Sequence, residues 1–219
     1  MRKAPVFFVF LTLIAVALLL PQPAAAQKKP ILVGFPMFLT GGGALFGQPS
    51  KVGAEMYVKE INEKGGVLGR PIELLIRDCK GTPDEATRVA RELIAKENVQ
   101  FLVGGLTAAQ GLALSEVAKT EKILYVAPIS KSTAMTEPGK LHPYVFRAAA
   151  NTNTEGRSAA VFMAKNPWKK VHTLGPDYEY GQMVTKAFVE WIKKIKPEVE
   201  IVGQGWPKLG EADFTPFIT

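Results

Sequence analysis

The chain has 219 residues, with 27 basic and 20 acidic side chains and a formal net charge of +7. The basic residues are scattered as pairs such as Lys169 and Lys170, which excludes the concentrated basic stripe of a nucleic-acid-binding protein. The chain has one cysteine and two histidines, which lie far apart in sequence. It therefore predicts neither an intramolecular disulfide nor a metal cluster. We therefore expect no cofactor and no nucleic-acid partner.

The first 26 residues follow the pattern of a secretory signal peptide. Arg2 and Lys3 precede an apolar run over residues 6–20, and a stretch of small residues ends at Ala26. The apolar run is about 15 residues long, shorter than the roughly 20 that span a bilayer. An uncleaved membrane anchor is the alternative. Cleavage after Ala26 would release a mature chain into the periplasm, starting at Gln27.

Strand-like and helix-like patterns alternate over residues 31–129. The strand patterns are ILVGF, IELLIRD, QFLVGG and ILYVAP, and helix patterns start at Pro49, Thr82 and Thr107. Gly53 would let the first helix approach the sheet closely, and Thr82 with Glu85 would form a capping box. This order predicts an α/β fold with a mostly parallel sheet and helices on both faces. Since nucleotide chemistry is mostly cytoplasmic, an exported domain of this kind favours ligand capture.

A second α/β cycle follows a loop rich in Ser, Thr, Pro and Gly over residues 128–153. Helix patterns at 154–165 and 180–196 alternate with strand patterns at 170–174 and 199–205. We predict a signal peptide over residues 1–26, a first lobe over 27–147 and a partial second lobe over 148–219. Cys79, at the end of the second strand, is expected to be a half-buried structural thiol.

The end of the chain predicts an incomplete second lobe. Asp213 resembles the N-cap of a helix that the sequence does not continue, and only two strand patterns follow residue 148. Such a lobe would not close its own core. We expect its longest apolar stripe, which includes Phe188, Trp191 and Ile195, to be left partly exposed.

The candidate site lies where the predicted strands end and helices begin. In open parallel sheets, ligands bind beyond the carboxyl ends of the strands. Four loops reach that edge, at residues 39–48, 104–109, 128–133 and 176–181. The amides that open the helix at Thr107 suit an anion, and the Thr107 hydroxyl could contact a ligand or only cap the helix.

The glycine-rich segment FLTGGGALFG does not form a phosphate-binding loop. A GxGxxG pattern counted from Gly41 needs glycine at position 46, where the chain has Phe46, and no Lys-Ser or Lys-Thr follows. Phe46 is better interpreted as an apolar or stacking wall of a small-molecule pocket.

The segment GAEMYVKEINEKGGVLGRPIELLIRDCKGTPDEATRVARELI closely resembles the first lobe of the type I periplasmic solute-binding proteins of ABC transporters. The group it resembles is the leucine/isoleucine/valine-binding family, which includes binders of amides and aromatic acids. The stretches VGG, VAPIS, FRAAANT, DYEYG and DFT follow in the family's order. The resemblance covers the mature chain but only the front part of the family's fold.

The resemblance implies two doubly wound α/β lobes with parallel sheets that close on a small solute and deliver it to a permease. It implies ligand contacts from both lobes, at Phe46, Thr107, Ala108, Ile129, Ser130, Ser132 and Tyr180. Two positions depart from the family. Ala108 replaces a serine used for carboxylate capture, and Lys131 could favour an anionic ligand or simply face solvent. The acid that pairs with a ligand amine in amino-acid binders would lie beyond this chain.

Three classes of function are consistent with these features. The first is the extracytoplasmic solute-binding component of an ABC importer, a monomer whose partners are a small solute and permease subunits. The second is a sensory or regulatory ligand-binding module of the same fold. The third, an exported enzyme, lacks a nucleophile–base pair, a metal cluster and a phosphate loop in the sequence.

Overall fold

A computed structural model describes residues 28–208 and 210–218, so the predicted signal peptide lies outside the described residues. Within these residues, the strands of two parallel sheets alternate with five α-helices. The strands are β1 (Ile31–Met37), β2 (Ile72–Asp78), β3 (Phe101–Val103), β4 (Leu124–Ala127), β5 (Val145–Arg147), β6 (Lys170–Leu174) and β7 (Glu200–Gly205). The helices are α1 (Ala44–Glu63), α2 (Pro83–Glu97), α3 (Ala108–Glu121), α4 (Thr152–Ala164) and α5 (Glu179–Ile195). Short 3₁₀ helices occupy Gly41–Gly43, Thr133–Thr136 and Thr215–Phe217.

The first lobe is built on a five-stranded parallel sheet in the order β2-β1-β3-β4-β5. The chain moves from β1 to β2 on one side and then returns to place β3 on the other side of β1. This reversal leaves a crevice beyond the carboxyl ends of β1 and β3, where ligands bind in open α/β sheets. The segments that follow these two strands are the ones that carry Phe46 and Thr107.

Helices α2 and α3 cover one face of this sheet. Their buried residues pack with alternate strand residues, including Leu102 and Tyr125, in one apolar core. The opposite face is less covered, since Phe101, Leu124 and Phe146 are 37%, 38% and 56% exposed. Right-handed crossovers place α1 on this second face, where it lies along β2.

Helix α1 starts at Ala44, five residues before the predicted start at Pro49. The sequence suggested a turn because of its glycines, but Gly47 serves a different purpose. A Cβ at position 47 would lie 1.8 Å from the Phe38 carbonyl oxygen, so only glycine lets the helix approach the end of β1. The role predicted for Gly53 was wrong. This residue is exposed, and an added Cβ would meet nothing within 4 Å.

Helix α2 confirms part of the predicted capping box. Thr82 is the N-cap, Pro83 is the first helical residue, and the Thr82 Oγ1 accepts a hydrogen bond from the Glu85 amide. The Glu85 carboxylate instead accepts from the Arg88 guanidinium at 2.9 Å. Cys79, which precedes this helix, is fully buried rather than half-buried.

The second lobe consists of α4 and α5 packed on the two-stranded sheet of β6 and β7. Its core contains Ala160, Met163, Phe188, Ile192 and Val199. The apolar stripe of α5 is therefore mostly covered: Phe188 is 8% exposed, and only its last member, Ile195, is exposed, at 43%. Strand β5 ends at Arg147, the residue at which the sequence divides the lobes; that division stays a prediction.

Close helix packing in the second lobe depends on Gly156. A Cβ there would lie 2.6 Å from the Ala187 Cβ and from the Phe188 nitrogen, so α4 and α5 meet backbone to backbone. After β7, the helix predicted to start at Asp213 is a single 3₁₀ turn over Thr215–Phe217. Among the described helices, none has the length and apolar character needed to cross a membrane.

Candidate functional site

The turn between β3 and α3 is fixed by close contacts with β1. Gly104 and Gly105 both have positive φ, and the Gly105 amide donates to the Pro36 carbonyl at 2.8 Å. A Cβ at position 104 would lie 2.3 Å from that same carbonyl oxygen. The buried Tyr125 hydroxyl donates to the Gly104 carbonyl at 3.0 Å. These contacts aim the N-terminus of α3 at the crevice.

Thr107 acts as the N-cap of α3. Its hydroxyl accepts from the Gln110 amide at 3.2 Å, and the Gln110 side chain accepts from the amides of Thr107 and Leu106 at 3.1 Å. This complete capping box shows the capping role that the sequence had left open beside ligand contact. The amides of the first two helical residues, Ala108 and Ala109, lack an acceptor within the helix and suit an anion.

A cavity of about 270 Å³ lies in front of this helix end, between the two lobes. It is lined by Phe46, Leu106, Thr107, Ala108, Ile129, Lys131, Tyr178 and Tyr180. The structure thus brings together five of the seven residues named from the sequence, although whether they bind a ligand stays a prediction. A larger depression of about 650 Å³ lies on the second lobe near Trp206, away from all of these residues.

Ser130 and Ser132 are the two predicted residues that do not line the cavity. Both are completely buried. The Ser130 hydroxyl donates to the Thr107 carbonyl at 3.1 Å, and the Ser132 hydroxyl donates to Glu179 Oε1 at 2.9 Å. They lie on the predicted loop, but their side chains turn inward to these acceptors because a buried hydroxyl without a partner is costly. In this structure, they hold the loop rather than face a solute.

Lys131 contributes a positive charge to the cavity wall. Its ammonium lies 2.5 Å from Glu155 Oε1 and 5.4 Å from the centre of the Tyr180 ring. The side chain is only 31% exposed, so the alternative that it simply faces solvent is wrong. Because Glu155 and Tyr180 belong to the second lobe, Lys131 also links the two lobes.

Further contacts join the lobes beside the cavity. The Ser132–Glu179 hydrogen bond crosses the boundary, and the hydroxyls of Thr133 and Thr152 are 2.7 Å apart. Arg147 donates to the Ser132 carbonyl at 2.6 Å and thereby anchors the same loop. The segment after β4 is therefore fixed to both lobes.

Sequence reasoning missed Tyr178, Leu106, Glu155 and Glu179. The DYEYG segment contains Tyr178 as well as Tyr180, and their rings stack with centres 5.9 Å apart. Burial raises the pKa of both phenols, and the Glu155 carboxylate raises that of Tyr180 further. Both rings therefore stay neutral near pH 7. Glu155 carried no signal, because a single acid in a helix pattern looks like a solvated residue.

The remaining reactive groups lie outside the cavity. Burial raises the pKa of the Cys79 thiol to about 11, and Gln110 donates to its sulfur at 3.0 Å. His142 pairs with Ser115 at 2.9 Å. In the part of the chain that the structure describes, no group of three His, Cys, Asp or Glu side chains could hold a metal ion.

Comparison with known proteins identifies the family. The model of the periplasmic binding protein family matches residues 30–219. The chain belongs to this family. Its relatives are solute-binding proteins, including the Leu/Ile/Val-binding proteins, and its fold is that of type I periplasmic binding proteins.

Individual relatives support the same assignment. The Leu/Ile/Val-binding protein BraC3 of Rhizobium johnstonii is 30% identical over 75% of this chain and 44% of its own length. A solute-binding protein of Rhodopseudomonas palustris BisB5, solved with 3,4-dihydroxybenzoic acid, has a TM-score of 0.76 at 28% identity over 86% of this chain and 50% of that chain. LivJ of Streptococcus pneumoniae, solved with isoleucine, has a TM-score of 0.75 at 26% identity over 85% of this chain and 52% of that chain. The chain spans about half the length of these relatives.

Proposed function

We propose that this protein is the extracytoplasmic solute-binding component of an ABC importer and that it captures a small polar or carboxylate-bearing solute between its lobes. The observation that carries the proposal is the cavity between the lobes, which combines free helix amides with aromatic walls. An amino acid, an amide or an aromatic acid would fit this description. The relatives solved with isoleucine and with 3,4-dihydroxybenzoic acid bind solutes of these kinds.

The ligand carboxylate would bind at the N-terminus of α3. The amides of Ala108 and Ala109 point out of the helix end, where the helix dipole also favours a negative charge. Alanine at position 108 offers only its amide, so a backbone N–H would bind the carboxylate in place of a serine hydroxyl. Phe46, Ile129 and Tyr180 would surround the apolar part of the solute.

Tyr180→Ala tests the proposed site. Tyr180 lies on the second lobe but lines a cavity whose other end is built by the first lobe, so its loss should weaken binding more than folding. We expect a loss of about ten- to a hundredfold in affinity, as for a buried hydrogen bond and ring contact. The measurement is calorimetric titration of residues 27–219 with leucine, isoleucine, benzoate and 3,4-dihydroxybenzoate.

Tyr57→Ala provides the matched control. Tyr57 is 64% exposed on α1 and does not line the cavity, so the same substitution there should leave affinity unchanged. Equal affinity of the Tyr180→Ala and Tyr57→Ala proteins for a solute that binds would place the pocket elsewhere. Failure of every solute to bind the unaltered chain would contradict the proposed function itself.

We propose export to the periplasm by the signal peptide of residues 1–26, which lies outside the described residues. Family members are periplasmic binding proteins, which supports this location. Mass spectrometry of the periplasmic species should find Gln27 at its N-terminus. Recovery of the protein in the cytosol with Met1 retained would contradict the proposal.

We also propose that the protein acts as a monomer and delivers its solute to a permease. Deletion of the gene should abolish uptake of the solute by the cell. Binding without any effect on uptake would instead favour a sensory or regulatory module of the same fold.

A further inference from the structure

Lys131 places a positive charge on the wall of the cavity. Among the described residues that line the cavity, it is the only one with a charged side chain, and no carboxylate lines the walls. The N-terminus of α3 adds the positive end of a helix dipole on the same side. On the described walls, a solute therefore meets one cationic side chain and the positive end of a helix dipole.

Two acids lie near the cavity but are not among the residues that line it. Glu155 Oε1 accepts from Lys131, and Glu179 Oε1 accepts from the Ser132 hydroxyl. The second oxygen of each carboxylate is buried from solvent, so a solute in the cavity does not reach it in this arrangement. Their structural role is to hold the Lys131 side chain and its loop against the second lobe.

The ion pair with Glu155 uses only part of the hydrogen-bonding capacity of the Lys131 ammonium group. An ammonium has three protons to donate, and one is directed at Glu155 Oε1. The Tyr180 ring, 5.4 Å away, borders the same group. Because Lys131 lines the cavity, its remaining protons are available to a carboxylate there.

We infer that Lys131 makes the cavity selective for the charge of its solute. It favours carboxylates that lack an α-ammonium group over zwitterionic amino acids. This inference rests on the proposed function and narrows its solute class. A solute carboxylate gains a charged hydrogen bond from Lys131. An α-ammonium would instead lie near a like charge, with no carboxylate on the described walls to pair with it, and burial of an unpaired charge is strongly unfavourable. The solute class is that of apolar or aromatic monocarboxylates.

Matched pairs of solutes isolate the effect of the α-ammonium. Leucine and 4-methylpentanoate differ only in this group, as do phenylalanine and 3-phenylpropanoate. Calorimetric titration of residues 27–219 should show at least about tenfold tighter binding of the des-amino member of each pair, the ratio expected when one charged hydrogen bond distinguishes them.

Three lysine variants test the role of the side chain. Lys131→Met should remove most of the preference, mainly through weaker binding of the des-amino acid, whereas Lys131→Arg keeps the charge and should retain it. Lys140→Met makes the same change in net charge at an exposed turn before β5, on the edge of the sheet opposite the crevice, and should leave the ratio unchanged. Far-UV circular dichroism confirms that each variant folds.

Glu155→Gln separates this inference from a role of Glu155 as the acceptor for a solute amine. We expect it to leave the binding of 4-methylpentanoate unchanged or tighter, since Lys131 loses its partner, and the binding of leucine to change little. Preference of the unaltered protein for leucine, a selective loss of leucine binding in Glu155→Gln, or an unchanged ratio in Lys131→Met would each overturn the inference while solute binding itself stands. Failure of all four solutes to bind would contradict the proposed function as well.

Discussion

Gly111 controls how closely α3 approaches the loop that holds Lys131. A Cβ at this position would lie 2.0 Å from the Ser130 Oγ, 2.5 Å from the Ser130 Cβ and 2.6 Å from the Met135 Cε. Ser130 is completely buried and Met135 is 1% exposed, so neither side chain can move into solvent. Gly111→Ala therefore forces the helix and the loop apart.

The balance of energies predicts a destabilised protein. Alanine is favoured over glycine in a helix interior by about 0.5–1 kcal/mol. Overpacking of a core costs about 1–3 kcal/mol, and loss of the Ser130–Thr107 hydrogen bond costs about 0.5–1.5 kcal/mol more. The overpacking and the lost hydrogen bond together outweigh the gain in helix propensity. We therefore expect the free energy of unfolding to fall by about 1–3 kcal/mol.

Gly53→Ala, in helix α1 on the other face of the sheet, is the matched control. Position 53 gains the same helix propensity but meets no atom within 4 Å, so the free energy of unfolding should rise by about 0.5–1 kcal/mol. Urea denaturation followed by far-UV circular dichroism measures both variants. A Gly111→Ala protein at least as stable as the unaltered chain would refute this account of how the α3 N-terminus meets the loop.

Three further predictions concern residues around the site. Tyr125→Phe removes the hydroxyl that donates to the Gly104 carbonyl and should lower the free energy of unfolding by about 1–3 kcal/mol in urea; no change would show that water replaces this bond. Burial alone raises the pKa of Asp78, but hydrogen bonds from Thr40, Lys80 and Leu39 outweigh it, so the pKa is lowered from 3.8. Its contribution to stability is therefore complete above pH 3.8 and is lost as the pH falls through the lowered value, and Asp78→Asn should flatten this acid part of the stability profile measured by urea denaturation. Cys79 should react with a thiol reagent at pH 8 only as fast as the protein opens, because it is buried and its pKa is raised to about 11; rapid labelling of the folded protein would contradict this.

Local patterns were sufficient to predict the alternation of strands and helices. Strand β6 has the predicted bounds, and α2 starts directly after its predicted N-cap, Thr82, because each depends on residues close together in the chain. The family resemblance likewise depends on local motifs. From these features the sequence predicted the parallel sheet and the edge of the sheet that holds the candidate site. It also named Phe46, Thr107, Ala108, Ile129 and Tyr180, which the structure brings together around one cavity.

Features that depend on distant contacts could not be predicted in this way. The early start of α1 requires the packing of Gly47 on the Phe38 carbonyl, and the close helix pair in the second lobe requires Gly156. Only the tertiary structure shows Ser130 and Ser132 turned inward, because their acceptors, Thr107 and Glu179, are 23 and 47 residues away in the chain. The position of the Lys131 side chain was decided in the same way, since Lys131 meets Glu155 only after the second lobe folds against the loop that follows β4.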